Sequence, residues 1–155
     1  MLVSLAAGPA LYAAGPALLR RAGIEVRRER ALPFRDEVRY WLVPWKHDER
    51  SAERFARAAL DQAGAAGEAV LVADTSSRWP LRIVQARDGR WPGVRVSDGR
   101  ELLGLYARDC VAYREALGEG RVVFVVSPGM SVVNETVRAN LSPPTGDEVL
   151  WRLRD

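Results

Sequence analysis

From residue 48 onward, apolar residues fall into two alternating patterns, one with helical spacing and one of short unbroken runs. Ala52, Phe55, Ala56, Ala59, Leu60 and Ala63 share one helical face, and Gly64 stands where such a helix would stop. Ala69, Val70, Leu71, Val72 and Ala73 form a run without alternation, as expected of a strand buried on both faces. A polar turn follows, Pro80 is suited to open a helix running through Gln85, and Gly89 lies beyond its end. Val94, Arg95 and Val96 make a second short strand. Asp98 then precedes a predicted helix of about sixteen residues, with Leu103, Tyr106, Ala107, Cys110, Val111 and Leu117 on one stripe. That stripe favours a structural over a reactive Cys110. Gly118 and Gly120 close the helix. Residues 121–126 are the strongest strand of the chain, a short helix fits between Ser131 and Asn140, and residues 149–153 alternate as a closing strand. Strands separated by helices predict an α/β domain over residues 48–155, a small Rossmann-like parallel sheet with flanking helices.

The N-terminal part is patterned differently. No charge occurs from Met1 to Leu19, and Arg20 and Arg21 follow at once. A bilayer needs about 20 apolar residues, so residues 1–22 are expected to form an apolar, membrane-type helix, the end of a transmembrane span. Gly8-Pro9 and Gly15-Pro16 dilute its hydrophobicity, within a phrase, Ala-Ala-Gly-Pro-Ala, that is used twice. A packed Ala-rich helix of a water-soluble protein is the other reading. A signal peptide is disfavoured, because no basic stretch precedes the apolar run. Residues 23–47 form a linker, extended from Ile24 to Phe34 and then aromatic. Tyr40, Trp41, Trp45 and Lys46 suit a membrane headgroup layer, since Trp41 and Trp45 share a helical face beside a cation. Packing on the domain core would account for them equally well.

Composition narrows the function classes. The net charge is only +3, from 23 basic against 20 acidic residues, and these alternate along the chain rather than gathering on a stripe. Nucleic acid is therefore not an expected partner. Lys46 is the only lysine, and the arginine, alanine and glycine bias matches a GC-rich bacterial genome. A single cysteine, Cys110, excludes an internal disulfide, and a single histidine, His47, excludes a site built on two imidazoles. No Gly-x-Ser-x-Gly elbow, dinucleotide fingerprint or phosphate loop occurs. No catalytic residue, metal ligand or cofactor is assigned.

Open parallel sheets hold ligands at the carboxyl ends of their strands. Asp74, Thr75, Ser76 and Ser77 after the first strand, Asp98 after the second and Ser127 after the third are the candidate binding residues. Their hydroxyls, carboxylates and adjacent amides can hold an anion or a sugar hydroxyl. Ser and Asp are also ordinary turn and N-cap residues. Thr145 and Glu148 have the spacing of a capping box. Asn134-Glu135-Thr136 and Asn140-Leu141-Ser142 match the N-glycosylation pattern by chance.

Two stretches carry a family resemblance. Leu32-Pro33-Phe34-Arg35-Asp36 with Tyr40-Trp41-Leu42-Val43-Pro44-Trp45-Lys46 is the first. Ala73-Asp74-Thr75-Ser76-Ser77-Arg78-Trp79-Pro80-Leu81, with Val84-Gln85 and Gly93-Val94-Arg95-Val96, is the second. In this order they resemble the region after the last membrane span in protein O-mannosyltransferase-like proteins, polytopic membrane proteins of C-type glycosyltransferase architecture. The resemblance implies a C-terminal soluble domain that positions an acceptor protein or glycan beside a transmembrane domain. It implies no sugar transfer by this chain alone, because the family's catalytic carboxylates are expected in an early loop of the multi-span region. Only Asp74 remains where relatives often carry more than one Asp in the turn. Arg20, Arg21, Arg27 and Arg28 favour a cytoplasmic side, whereas the resemblance implies an extracytoplasmic domain on the bacterial inner membrane. A free-standing small-ligand-binding α/β module is the alternative.

Overall fold

The computed structural model describes residues 14–24, 33–34, 49–98, 120–130 and 133–154. The chain divides into two compact units, Met1–Ser51 and Ala52–Asp155.

In the first unit residues 14–21 are helical. The amide of Ile24 donates to Leu19 O at 3.0 Å and that of Gly23 to Arg20 O at 3.1 Å, with Gly23 at φ 69°. This is a Schellman closure, in which a left-handed glycine satisfies the last carbonyls. Among the described residues no helix is long and apolar enough to cross a membrane. Residues 1–13 of the expected membrane-type helix, Tyr40, Trp41, Trp45 and Lys46, and the helix expected after Asp98 with Cys110 on its stripe lie outside the described residues.

The second unit is α/β. Helix α1 (Ser51–Ala65) is followed by β1 (Ala69–Ala73), α2 (Thr75–Asp88), β2 (Val94–Asp98), β3 (Val122–Val125), α3 (Glu135–Ala139), β4 (Leu141–Ser142) and β5 (Trp151–Leu153). The strands form one sheet in the order β2-β1-β3-β5-β4. Strand β1 is buried along its whole length, as its unbroken apolar run requires, and it pairs in parallel with β2 and β3.

The sheet is mixed rather than parallel throughout. Strand β5 runs antiparallel to β3, with Phe124 opposite Arg152, and antiparallel to β4, with Leu141 opposite Leu153. Strand β4 therefore points the same way as β3, and the α3 connection between them is a parallel crossover that leaves one place open. The chain then reverses and β5 fills that place. Thr145 and Glu148, spaced as a helix cap, make this reversal instead. The Thr145 amide and hydroxyl both donate to Glu148 Oε2 at 2.8 Å, and the Glu148 amide donates to Thr145 O at 3.1 Å. The Thr145 backbone and side-chain bonds hold the Glu148 carboxyl below its usual range.

Helix α1 buries Phe55, Ala56, Ala59, Leu60 and Ala63 of the predicted face, whereas Ala52, in its first turn, is exposed. It ends at Ala65, so Gly64 is its penultimate residue and not its stop. The reason for glycine is proximity: a Cβ there would lie 2.7 Å from Trp91 Cδ1. Further along the same helix, Gln62 clamps the C-terminal segment. Its Oε1 accepts from the Val149 and Leu150 amides at 2.9 Å.

Helix α2 begins at Thr75, and Pro80 lies inside it rather than opening it. It buries Ser77, Leu81 and Val84. Its C-terminal end is tied to α1 by four charges. Arg87 Nη2 lies 2.7 Å from Glu53 Oε1, Arg57 Nη1 lies 2.7 Å from Asp88 Oδ2, and Arg87 Nε lies 3.0 Å from Asp88 Oδ1. Arg87 and, more weakly, Arg57 hold the Glu53 carboxyl below its ordinary range. Exposed pairs of this kind are screened by salt.

Strand β2 is the outer strand, and an open edge invites pairing with another chain. Side chains of α2 occupy it. Gln85 Nε2 donates to Val94 O at 2.7 Å and to Trp91 O at 3.0 Å, and Arg82 Nη2 donates to Val96 O at 3.2 Å. Since Gly93 O bonds Ala69 of β1, parallel alternation directs the carbonyls of Val94 and Val96 outward. Gln85→Leu is expected to leave two carbonyls without this donor and to cost about 1–2 kcal/mol. Urea melts check this, and a midpoint equal to wild type would refute the edge-capping role.

Candidate functional site

In the parallel part of the sheet β1 lies between β2 and β3. From β1 the chain leaves through α2 towards β2, whereas from β3 it leaves in the opposite direction, towards β4 and β5. The carboxyl ends of β1 and β3 therefore form a switch point, the place where open α/β sheets hold ligands.

Pairing of Val72 with Val125, extended by the Val126 amide bonding Val72 O at 3.1 Å, continues to place Ser127 opposite Asp74. On the other side Asp98 is level with Ala73. The backbone thus brings the three predicted loops to one sheet edge. The side chain of Asp98 lies outside the described residues.

Asp74 is the N-cap of α2, with extended backbone at φ −80° and ψ 176°. Its Oδ1 accepts from the Ser76 and Ser77 amides at 3.0 and 2.8 Å, and from both serine hydroxyls at 2.7 Å. Burial opposes the charged carboxylate, but the Ser77 and Ser76 donors outweigh it and hold its pKa below the ordinary range. These bonds also explain where the helix starts. They fix the first turn before Pro80, whose missing N–H leaves one helical bond unmade.

The arrangement has a chemical consequence. The amides and positive dipole end at which an anion would bind are already met by the chain's own carboxylate. Phosphate and nucleotide ligands are thereby disfavoured. Of the loop residues, Thr75 and Ser76 are exposed, whereas Ser77 is buried against the helix start.

The Ser127 loop is a tight turn of its own. Ser127 Oγ accepts from the Gly129 amide at 3.2 Å, and the Met130 amide reaches Ser127 O at 3.3 Å. Arg138 of α3 donates to Pro128 O at 3.1 Å, which braces the turn from behind. Asn134, read earlier only as part of a chance glycosylation pattern, caps α3 by accepting from the Val137 amide at 2.8 Å. Among the described residues no three His, Cys, Asp or Glu side chains gather as a metal ion needs.

Three features were not anticipated. Trp79 and Ile83 are exposed on α2, Arg82 and Gln85 cap the β2 edge, and Trp91 has a left-handed backbone at φ 60°. The first two follow once the helix is started at Asp74 instead of Pro80, because Ser77, Leu81 and Val84 then define the inward face. No local signal marks Trp91.

No protein-family model matches the chain, and neither a curated protein nor a solved structure matches it significantly.

Proposed function

We propose that the chain is a non-catalytic α/β binding domain that receives a neutral, hydroxyl-rich ligand at the carboxyl ends of β1 and β3. The ligand class is a glycan or a Ser/Thr-rich acceptor segment. One observation carries the reading: the helix start that would hold an anion is satisfied by Asp74, while Ser76 and Ser127 stand at neighbouring strand ends. A hydroxyl group both donates and accepts, so it matches a carboxylate and a serine together. The β2-β1-β3 half, with α2 as its crossover, is the Rossmann-like part of this reading.

In its narrower form the chain is the C-terminal soluble domain of a membrane-bound, glycosyltransferase-like bacterial protein. Residues 1–22 are then the end of a membrane span and the α/β domain is extracytoplasmic. The uncharged run from Met1 to Leu19, the Tyr40 to Lys46 segment and the resemblance of residues 32–46 and 73–96 support this form. That the unit Ala52–Asp155 contains the whole sheet favours the alternative, a free-standing module with the same site. Fractionation of the expressed chain separates the two. Recovery as a soluble monomer without detergent would count against the membrane form.

The site itself is tested by titrating the full chain with α-methyl mannoside and with a Ser/Thr-rich peptide while following backbone amide resonances. Shifts are expected at Thr75, Ser76, Ser127 and Gly129. Spectra unchanged at these four amides with both probes would end the proposal.

A further inference from the structure

The outer face of α2 carries a second apolar stripe, opposite the buried one. Ser77, Leu81 and Val84 point into the fold. Trp79 and Ile83, four residues apart, are 54% and 60% exposed, and Ala86 continues the stripe at the next turn and is exposed. A helix that buries one apolar stripe usually presents a polar outer face.

Cations border this stripe. Arg78 stacks its guanidinium 5.1 Å from the Trp79 ring centroid. Arg82 is exposed and bonds a carbonyl, Val96 O, a partner that leaves its positive charge uncancelled. On the far side stands Arg87, balanced by Glu53 and Asp88. The first turn of α2 has no acidic residue, and its one carboxylate, Asp88, is engaged by Arg57 and Arg87 at the other end. The Trp79 and Arg82 side is therefore apolar and positive together.

We propose that this face of α2 lies flat on an anionic lipid bilayer. Trp79 and Ile83 enter the boundary between headgroups and acyl chains, and Arg82 meets lipid phosphate. Tryptophan favours that layer because its ring is apolar and its N–H stays hydrated. Arginine gains there from the negative surface potential. An exposed helical stripe of this width suits surface contact rather than spanning. The inference shares with the proposed function only the placement beside a membrane. It uses neither Ser76 nor Ser127, so the glycan titration and the test below can fail independently.

The test is co-sedimentation of the full chain with phosphatidylcholine vesicles, with and without about a quarter phosphatidylglycerol, at about 0.05 and 0.5 M salt. Binding is expected on the anionic vesicles, weakened by salt and by omission of the anionic lipid. The double variant Trp79→Ser/Ile83→Ser is expected to lower partitioning about tenfold or more. Arg82→Gln should lower it on anionic vesicles only. Circular dichroism and melting of each variant confirm that the fold is kept, and Ala86→Asp provides a second outward change if the double variant is unstable. Failure to bind anionic vesicles would overturn the proposal. Equal sedimentation of wild type and the outward variants would overturn it too, since another segment would then be the anchor. Loss of self-association in the double variant, without any vesicle binding, would reassign the face to a second copy of the chain. Retention on polyglutamate without vesicle binding would reassign it to an acidic protein.

Discussion

Gly64→Ala is expected to destabilise the protein, although the same change in the middle of a helix ordinarily stabilises it by roughly 0.5–1 kcal/mol. The added methyl would sit 2.7 Å from Trp91 Cδ1. Trp91 cannot readily yield. It is buried, its Nε1 donates to Asp61 Oδ1 at 2.9 Å, and Arg90 covers its ring at 4.6 Å while itself lying 3.2 Å from Asp61. Overpacking of this kind costs about 1–3 kcal/mol, which exceeds the gain in helix propensity. Trp91→Ala should itself cost about 3 kcal/mol or more, because a large buried ring is lost while alanine, which also carries a Cβ, keeps the strain of the left-handed backbone. In that background Gly64→Ala should change sign and become stabilising. Denaturant melts of the four proteins in the cycle measure this coupling, and additive effects would show that the two residues do not share one space.

Asp74→Ala is expected to cost about 2 kcal/mol, at the upper end for loss of an N-cap. Two amides lose their acceptor, and so do two hydroxyls, one of them on the buried Ser77. Asp74→Asn keeps an acceptor oxygen and should recover most of the loss. The charge adds a pH dependence whose sign follows from the lowered carboxyl pKa. The contribution is present above the unfolded value of about 3.8, and it is lost as the pH falls through the lower folded value. Melts of wild type and Asp74→Asn between pH 5 and pH 2 should therefore converge towards acid (~2 to ~5 being the carboxylate range). Parallel curves would mean that charge has no part in the cap. The same pair of variants separates structure from recognition: a ligand held by the carboxylate is lost in Asp74→Asn although the fold remains.

The parts of the fold that announced themselves were those with a long-range physical signature in short stretches. Val70, Leu71 and Val72, in an unbroken apolar run of five, read as a strand buried on both faces, and the Phe55 to Ala63 stripe read as a helix with one inward side. Pro80 misled because proline usually marks a first turn, whereas Asp74 gathers four donors and starts the helix earlier. The direction of β5 was illegible for a different reason. Residues 151–153 read the same in either orientation, and only the reversal held by Thr145 and Glu148 decides it. For the site, the loops were legible because strand ends are. What Asp74 does there was not, since capping and binding ask for the same residue types.

Strand β5 lies between β3 and β4 although it follows both in the chain. During synthesis β3 must then wait with one flank bare until residues 151–153 have left the ribosome, and Gln62 waits equally long for Leu150. A nascent chain arrested before that point would display Val123, Phe124 and Val125 as a template for foreign strands, which makes prompt emergence of β5 a safeguard against aggregation.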